Sequence, residues 1–175
     1  MAILTPEEIV EAVNLDPTEA LAQNDMLTRL MGSTEEAIDF LCGPTAAREV
    51  IDTVTAAGMI PLSTRPVLSL TSVVGDTVGA LTVGGLTVNP KSGVIRKPGG
   101  MISADTYVVT YQAGRSTVPS AHKDAAAIIL RHLWDARRGP NRQRNTDTTP
   151  VEGLGFAIPN RALQLLTPTM LGPGC

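Results

Sequence analysis

Aromatic side chains are scarce: one Trp, two Tyr and two Phe among 175 residues, or 3%. A core must therefore be assembled from Ala, Val, Ile and Leu. Cysteine is nearly absent too, with only Cys42 and Cys175, which rules out a disulfide framework. No stretch approaches the roughly 20 apolar residues that span a bilayer. The first residues, MAILTPEEI, carry no basic cluster before an apolar run, so no signal peptide is expected. Charged residues make up 18%, the net charge is −3 and the pI is about 5.3. Such a chain has no general attraction to nucleic acid.

Catalytic and metal-binding patterns are missing as well. Gly-x-Ser-x-Gly is absent, and neither cysteine has a base beside it in sequence. His122 and His132 fall ten residues apart on one expected helix, about 15 Å of rise, too far to share a metal. No Asp-x-Asp cluster suggests magnesium or calcium. Asp76, Asp105 and Asp124 are scattered and read as solvated. The glycines between Gly75 and Gly85 lack the Lys-Ser/Thr of a phosphate loop and have no helix after them. The expectation is therefore no enzyme, no cofactor and no metal.

What is present is pattern. Thr5-Pro6-Glu7-Glu8 places a cap, a proline at the first helical position and acids at the positive helix end. Asp16-Pro17 restarts the chain, and Leu21, Met26, Leu27, Leu30 and Met31 suggest a second helix, ended by Gly32. Ser33-Thr34-Glu35-Glu36 then reads as a capping box opening a third helix, which Gly43-Pro44 stops. From Arg48 to Gln112 the chain turns to Val, Thr, Ile and Gly. Strands are expected at Glu49–Thr55, Val67–Val74, Leu86–Asn89, Val94–Arg96 and Thr106–Gln112. Asn89-Pro90-Lys91-Ser92-Gly93 reads as a hairpin loop, and Gly75–Gly85 as a flexible tip. Val118-Pro119 opens the clearest helix, His122–Arg138, with Ala125, Ile128, Ile129, His132, Leu133 and Ala136 on its apolar side. Residues 139–155 read as a mobile loop, and Pro159–Leu166 as a short closing helix.

These segments predict an α+β fold: mainly a helical bundle with an inserted antiparallel β region and an extended C-terminal arm ending in a short helix. Residues 1–138 form one domain, with helices over 5–43, the β insertion over 48–112 and the long helix over 119–138. Residues 139–175 form the basic loop and closing segment. Two features there bear on binding. Arg137, Arg138, Arg142 and Arg144 are the one charge concentration. It reads either as a solvated cap opposing the helix dipole or as an arm that orders on an acidic partner; a nucleic-acid surface would want aromatic platforms beside it. Trp134 either covers the end of the core or anchors a subunit contact.

The order of four segments resembles the head-tail connector (adaptor) proteins of tailed bacteriophages. They are RPVLSLTSV at 65–73, YVVTYQAGRSTVP at 107–119, AAAIILRHLWDARRG at 125–139 and GFAIPNRALQLLTP at 155–168. The resemblance covers the chain after about residue 20 and rests on packing motifs. It implies a structural virion protein at the neck, assembled in the host cytoplasm. Such a protein forms a homo-oligomeric ring, typically a dodecamer, beneath the portal. It extends the DNA channel and offers the docking surface for the next head-completion or tail protein. DNA would pass without sequence-specific binding, and no membrane is involved. On this chain the resemblance puts portal contacts at Arg161, Leu163 and Leu166, with the 139–155 loop reaching towards them. The β insertion is larger than in the minimal helical form of the family. An acidic duct suits the role, since basic walls would grip DNA phosphates. A stopper or tail terminator is the alternative virion joining protein; a small enzyme or a nucleic-acid-binding protein fits less well.

Overall fold

The computed structural model describes residues 3–137 and 147–170. The fold is α+β, with antiparallel sheets, and its sheet content exceeds that of a helical bundle with an insertion. By contacts the chain divides into two units. One comprises the residues up to Cys42 together with Val118–Met170, and the other Gly43–Thr117.

The first unit is helical: α1 (Pro6–Val13), α2 (Pro17–Ala22), α3 (Asn24–Cys42), α4 (Ser120–Arg137) and α5 (Asn160–Leu166). The capping box at α1 forms as its sequence requires. The Glu8 N–H donates to Thr5 Oγ1 at 3.3 Å and the Thr5 N–H donates to Glu8 Oε2 at 2.8 Å. Asp16 caps α2, accepting from the Thr18 N–H at 2.8 Å.

The expected break at Gly32 does not occur; α3 runs straight through it. Leu27, Leu30, Met31, Thr34, Ala37, Ile38 and Cys42 are all buried, a stripe at helical spacing that continues on both sides of the glycine. Burying that stripe outweighs the ~1 kcal/mol that a glycine costs inside a helix. Ser33 and Thr34 cap nothing. Their hydroxyls donate to the carbonyls of Arg29 and Leu30, four residues back, at 3.3 and 2.9 Å. Glu35 instead accepts the Ile3 N–H at 3.0 Å.

Helix α4 packs against α1, α3 and α5. Its buried face is His122, Ala125, Ala126, Ile129, Leu130 and Trp134, turned away from the expected one. Ile128, His132 and Leu133 are half-buried and Ala136 is exposed. The reason is that small Ala125 and Ala126 let neighbouring helices approach closely. Part of the expected 139–155 loop is regular structure: β8 (Thr148–Pro150) pairs antiparallel with β9 (Ala157–Pro159). Residues 138–146 lie outside the described set.

The second unit carries a four-stranded antiparallel sheet in the order β1-β7-β3-β4: β1 is Arg48–Gly58, β7 Ile102–Ala113, β3 Val67–Gly75 and β4 Gly79–Leu81. A smaller sheet has β2 (Ile60–Pro61), β6 (Val94–Arg96) and β5 (Thr87–Asn89) in that order. Between the faces lie Ile60, Val67, Val73, Ile95, Tyr107, Val109 and Tyr111. The β5–β6 hairpin forms as expected. The Asn89 side chain accepts from the Lys91 and Ser92 N–H groups at 3.0 and 3.1 Å, and Gly93 takes φ 66°.

The expected flexible tip is ordered. It holds β4 and a 3-10 turn at Val83–Gly85, and Asp105, expected to be merely solvated, is what fixes it. Its Oδ2 accepts from the Thr77 and Val78 N–H groups at 2.8 and 2.9 Å. Those bonds, the Val78 N–H foremost, hold its carboxyl below the usual aspartate range. Its contribution is therefore present above the ordinary aspartate pKa and is lost as pH falls through the lowered value.

Candidate interaction surfaces

The residues singled out for partner binding do not form one exposed patch. Trp134 and Leu166 are buried in the helical core and Leu163 is half-buried against it. Leu166 is wedged there because α5 is amphipathic: Ala162 and Leu166, four residues apart, face α4. Arg161 is exposed at the start of α5. Arg137 is exposed at the end of α4, its Nη1 donating to Met26 Sδ at 2.6 Å. Arg138, Arg142 and Arg144 lie outside the described residues.

The closing segment is fastened by a buried polar chain that sequence spacing could not reveal. His122 Nε2 lies 2.8 Å from Thr169 Oγ1, which also donates to the Leu166 carbonyl at 2.9 Å. Cys42 Sγ lies 3.6 Å from the same hydroxyl. A cysteine and a histidine thus both lie within reach of one threonine hydroxyl, and both are fully buried. The arrangement holds α5 on the core. On the other side of α4, Lys123 Nζ donates to Glu8 Oε1 at 2.8 Å. That bond, with the Thr5 N–H, keeps the Glu8 carboxyl below the ordinary glutamate range.

The concavities of the helical unit include a polar and an apolar one. A groove of about 390 Å³ between α1 and α4 is lined by Glu8, Glu11, Lys123 and Asp124 among others. A wider apolar one of about 660 Å³ runs between α1, α2 and α3, floored by Ile9, Val10, Leu15 and Leu27. At its border Leu21 is 78% exposed. Among the described residues no group of three His, Cys, Asp or Glu side chains could hold a metal ion, and no helix is long and apolar enough to cross a membrane.

In the β unit the chemistry gathers at Asp52. Its carboxylate accepts from the Tyr111 hydroxyl at 2.8 Å, the Ser63 hydroxyl at 2.7 Å and the Ser63 N–H at 2.8 Å. The Thr64 N–H donates to the Tyr111 oxygen at 3.0 Å. Burial first, and the Asp52 carboxylate with it, push the Tyr111 hydroxyl above its ordinary pKa. With every polar atom turned to tying the 62–66 loop onto the sheet, the cluster is a clasp. Sequence reading missed it because Asp52 and Tyr111 stand 59 residues apart; only the alternation of Tyr107, Val109 and Tyr111 signalled that these rings point inward.

The opposite face of the same sheet is open. Ladder register puts Thr53, Val108, Val74 and Ala80 in one row across all four strands, with Ile51, Thr110 and Ser72 in the next. Ile51 is 64% exposed, Val74 43% and Val108 38%. Thr55 and Thr106 share a hydroxyl–hydroxyl bond at 3.0 Å on this face.

Against family models and curated proteins, the chain has no match.

Proposed function

We propose that this chain is a structural head-to-tail adaptor of a tailed phage particle, forming a ring under the portal and acting by contact alone. The observation that carries the reading is exposed apolar surface on both units. The helical unit shows Leu21 and Phe40, the latter 57% exposed, and the β unit shows Ile51, Val74 and Val108. Exposed apolar groups on both units are compatible with a protein that has several neighbours. The four resembling segments add support, because each supplies core: Val67 and Val73, Tyr107 and Tyr111, Ile129 to Trp134, and Ile158 to Leu166. The finer reading of the architecture goes with it: the helices make the ring, the β unit is an elaboration on it, and the closing arm, with Arg161 outward, meets the portal. A net charge of −3 suits a duct that DNA slides through.

The large sheet favours one second reading, a stopper or tail terminator sitting one ring lower. Cryo-electron microscopy of particles assembled with tagged protein separates the two. Density directly against the portal supports the adaptor, and density one ring down supports the alternative. Particles that lack the polypeptide and still join tails normally would remove both readings.

A further inference from the structure

The open face of the four-stranded sheet carries a proposal that stands apart from the adaptor reading. An antiparallel sheet with one face in water ordinarily alternates apolar residues inward with charged or strongly polar ones outward. Here the inward rows are Tyr107, Val109 and Tyr111, yet the outward rows hold Ile51, Val74 and Val108 among threonines and serines. The only formal charge on the outward side of the ladder is Glu49, at the corner where it pairs with Gln112. β-Branched residues on both faces are the composition of a strand packed on both faces.

We infer that this face packs against the same face of a second copy of the chain, making a two-layered β sandwich across a two-fold axis. Size argues for that occupant. The β1–β7 ladder pairs ten positions and the β3–β7 ladder seven; at ~3.4 Å per position and ~4.8 Å per strand, the face measures about 27 Å by about 17 Å. Two such faces remove about 900 Å² from water, the small end of the range, where weak association lies. Area does not fix affinity, so the association is sought over a wide range of concentration. Charge argues for it as well. A face almost without charge meets its own copy with no like-sign repulsion, and with Glu49 at the corner the two carboxylates need not meet. Shape is compatible: stacked sheets lie ~10 Å apart, which residues the size of Val, Thr and Ile fill from both sides. The contact is isologous, one patch meeting itself, unlike the head-to-tail contact that closes a ring. The adaptor reading can therefore fail while this one holds, and the reverse.

Sedimentation equilibrium of the whole chain from about 1 to 500 μM tests it. The expected result is a concentration-dependent monomer–dimer equilibrium. Val108→Lys, in the middle of the face, should weaken it at least tenfold with an unchanged far-ultraviolet spectrum. Mixing Val108→Lys with Val108→Glu should recover dimer, since opposite charges then meet across the axis. Thr53→Lys, on the exposed edge strand, gives the same reading should the Val108 variant not fold. A wild-type chain that stays monomeric throughout would overturn the proposal. So would association that neither lysine diminishes, because it would then run through another surface.

Discussion

In the helical unit each helix satisfies its own backbone hydrogen bonds, so packing is left to aliphatic side chains meeting across α1, α3, α4 and α5. The β unit has no such independence. Its strands satisfy one another over separations as long as Arg48 to Ala113, and its loops are tied down by the carboxylates of Asp52 and Asp105. The helical unit rests chiefly on packing, with a few polar ties such as His122–Thr169, whereas the β unit adds long-range polar clasps and backbone fit to its core. The difference implies that equal-sized changes cost unequal amounts in the two places. It also implies that the costliest position in the β unit need not bury a large side chain.

Gly114 is that position. It adopts φ +115°, where an L side chain is strained, and an added Cβ would run into the Ala46 carbonyl and the Ala47 Cα. Its N–H donates to the Pro66 carbonyl at 2.8 Å, so the backbone cannot shift without losing a bond. Gly114→Ala is expected to destabilise by at least about 4 kcal/mol, read from urea denaturation followed by near-ultraviolet tyrosine dichroism. A loss under about 1 kcal/mol would mean that this junction yields, and that the contrast between the units is overstated.

The helical counterpart is Leu130, fully buried on α4. Leu130→Ala removes packing and leaves a cavity, at a cost of about 3 kcal/mol. Trp134, four residues on and the only tryptophan, reports the change by fluorescence. Next in size, Tyr111→Phe deletes one hydroxyl and keeps the ring. Asp52 then loses a donor and the Thr64 N–H its acceptor, which should cost about 2 kcal/mol. Hydrogen exchange at Thr64 should quicken while exchange along α4 stays as it was. If the protein lost nothing, the clasp would be incidental and the β unit would rest on packing as the helical one does.

How much of this was legible in the sequence follows the same division. Some local devices were readable: the Thr5 cap, the Asn89–Gly93 turn and the alternation through Tyr107, Val109 and Tyr111 each depend on residues a few positions apart, whereas the capping box read at Ser33–Glu36 lies inside α3 and does not form. What pairs across long distances was not. Nothing near Asp105 announces that it will hold Thr77 and Val78, so the Gly75–Gly85 stretch looked loose. Thr169 gives no sign of reaching His122, 47 residues away. The rotated face of α4 has the same origin: periodicity marks an apolar stripe, but the helices packed against it decide which edge lies deepest. Among the partner-binding candidates, Arg137 and Arg161 are exposed, Trp134 is buried, the core-covering alternative of its two readings, and Leu166 is buried because the amphipathic closing helix turns that side chain to the core.

Gly32 gives the smallest and most pointed test, because there the helical unit should behave oppositely to Gly114. It lies mid-way along α3 with helical backbone, and beyond the helix's own backbone an added Cβ would meet no atom within 4 Å. Nothing in the fold needs the glycine, and its greater freedom in the unfolded chain is lost on folding. Gly32→Ala should therefore stabilise, by about 0.5–1 kcal/mol, as a raised urea midpoint with an unchanged slope. A neutral result would show α3 already held so firmly by its buried stripe that local preference no longer counts. A destabilising one would mean that α3 bends or opens at Gly32, and the break read from the sequence would be a real property of the chain.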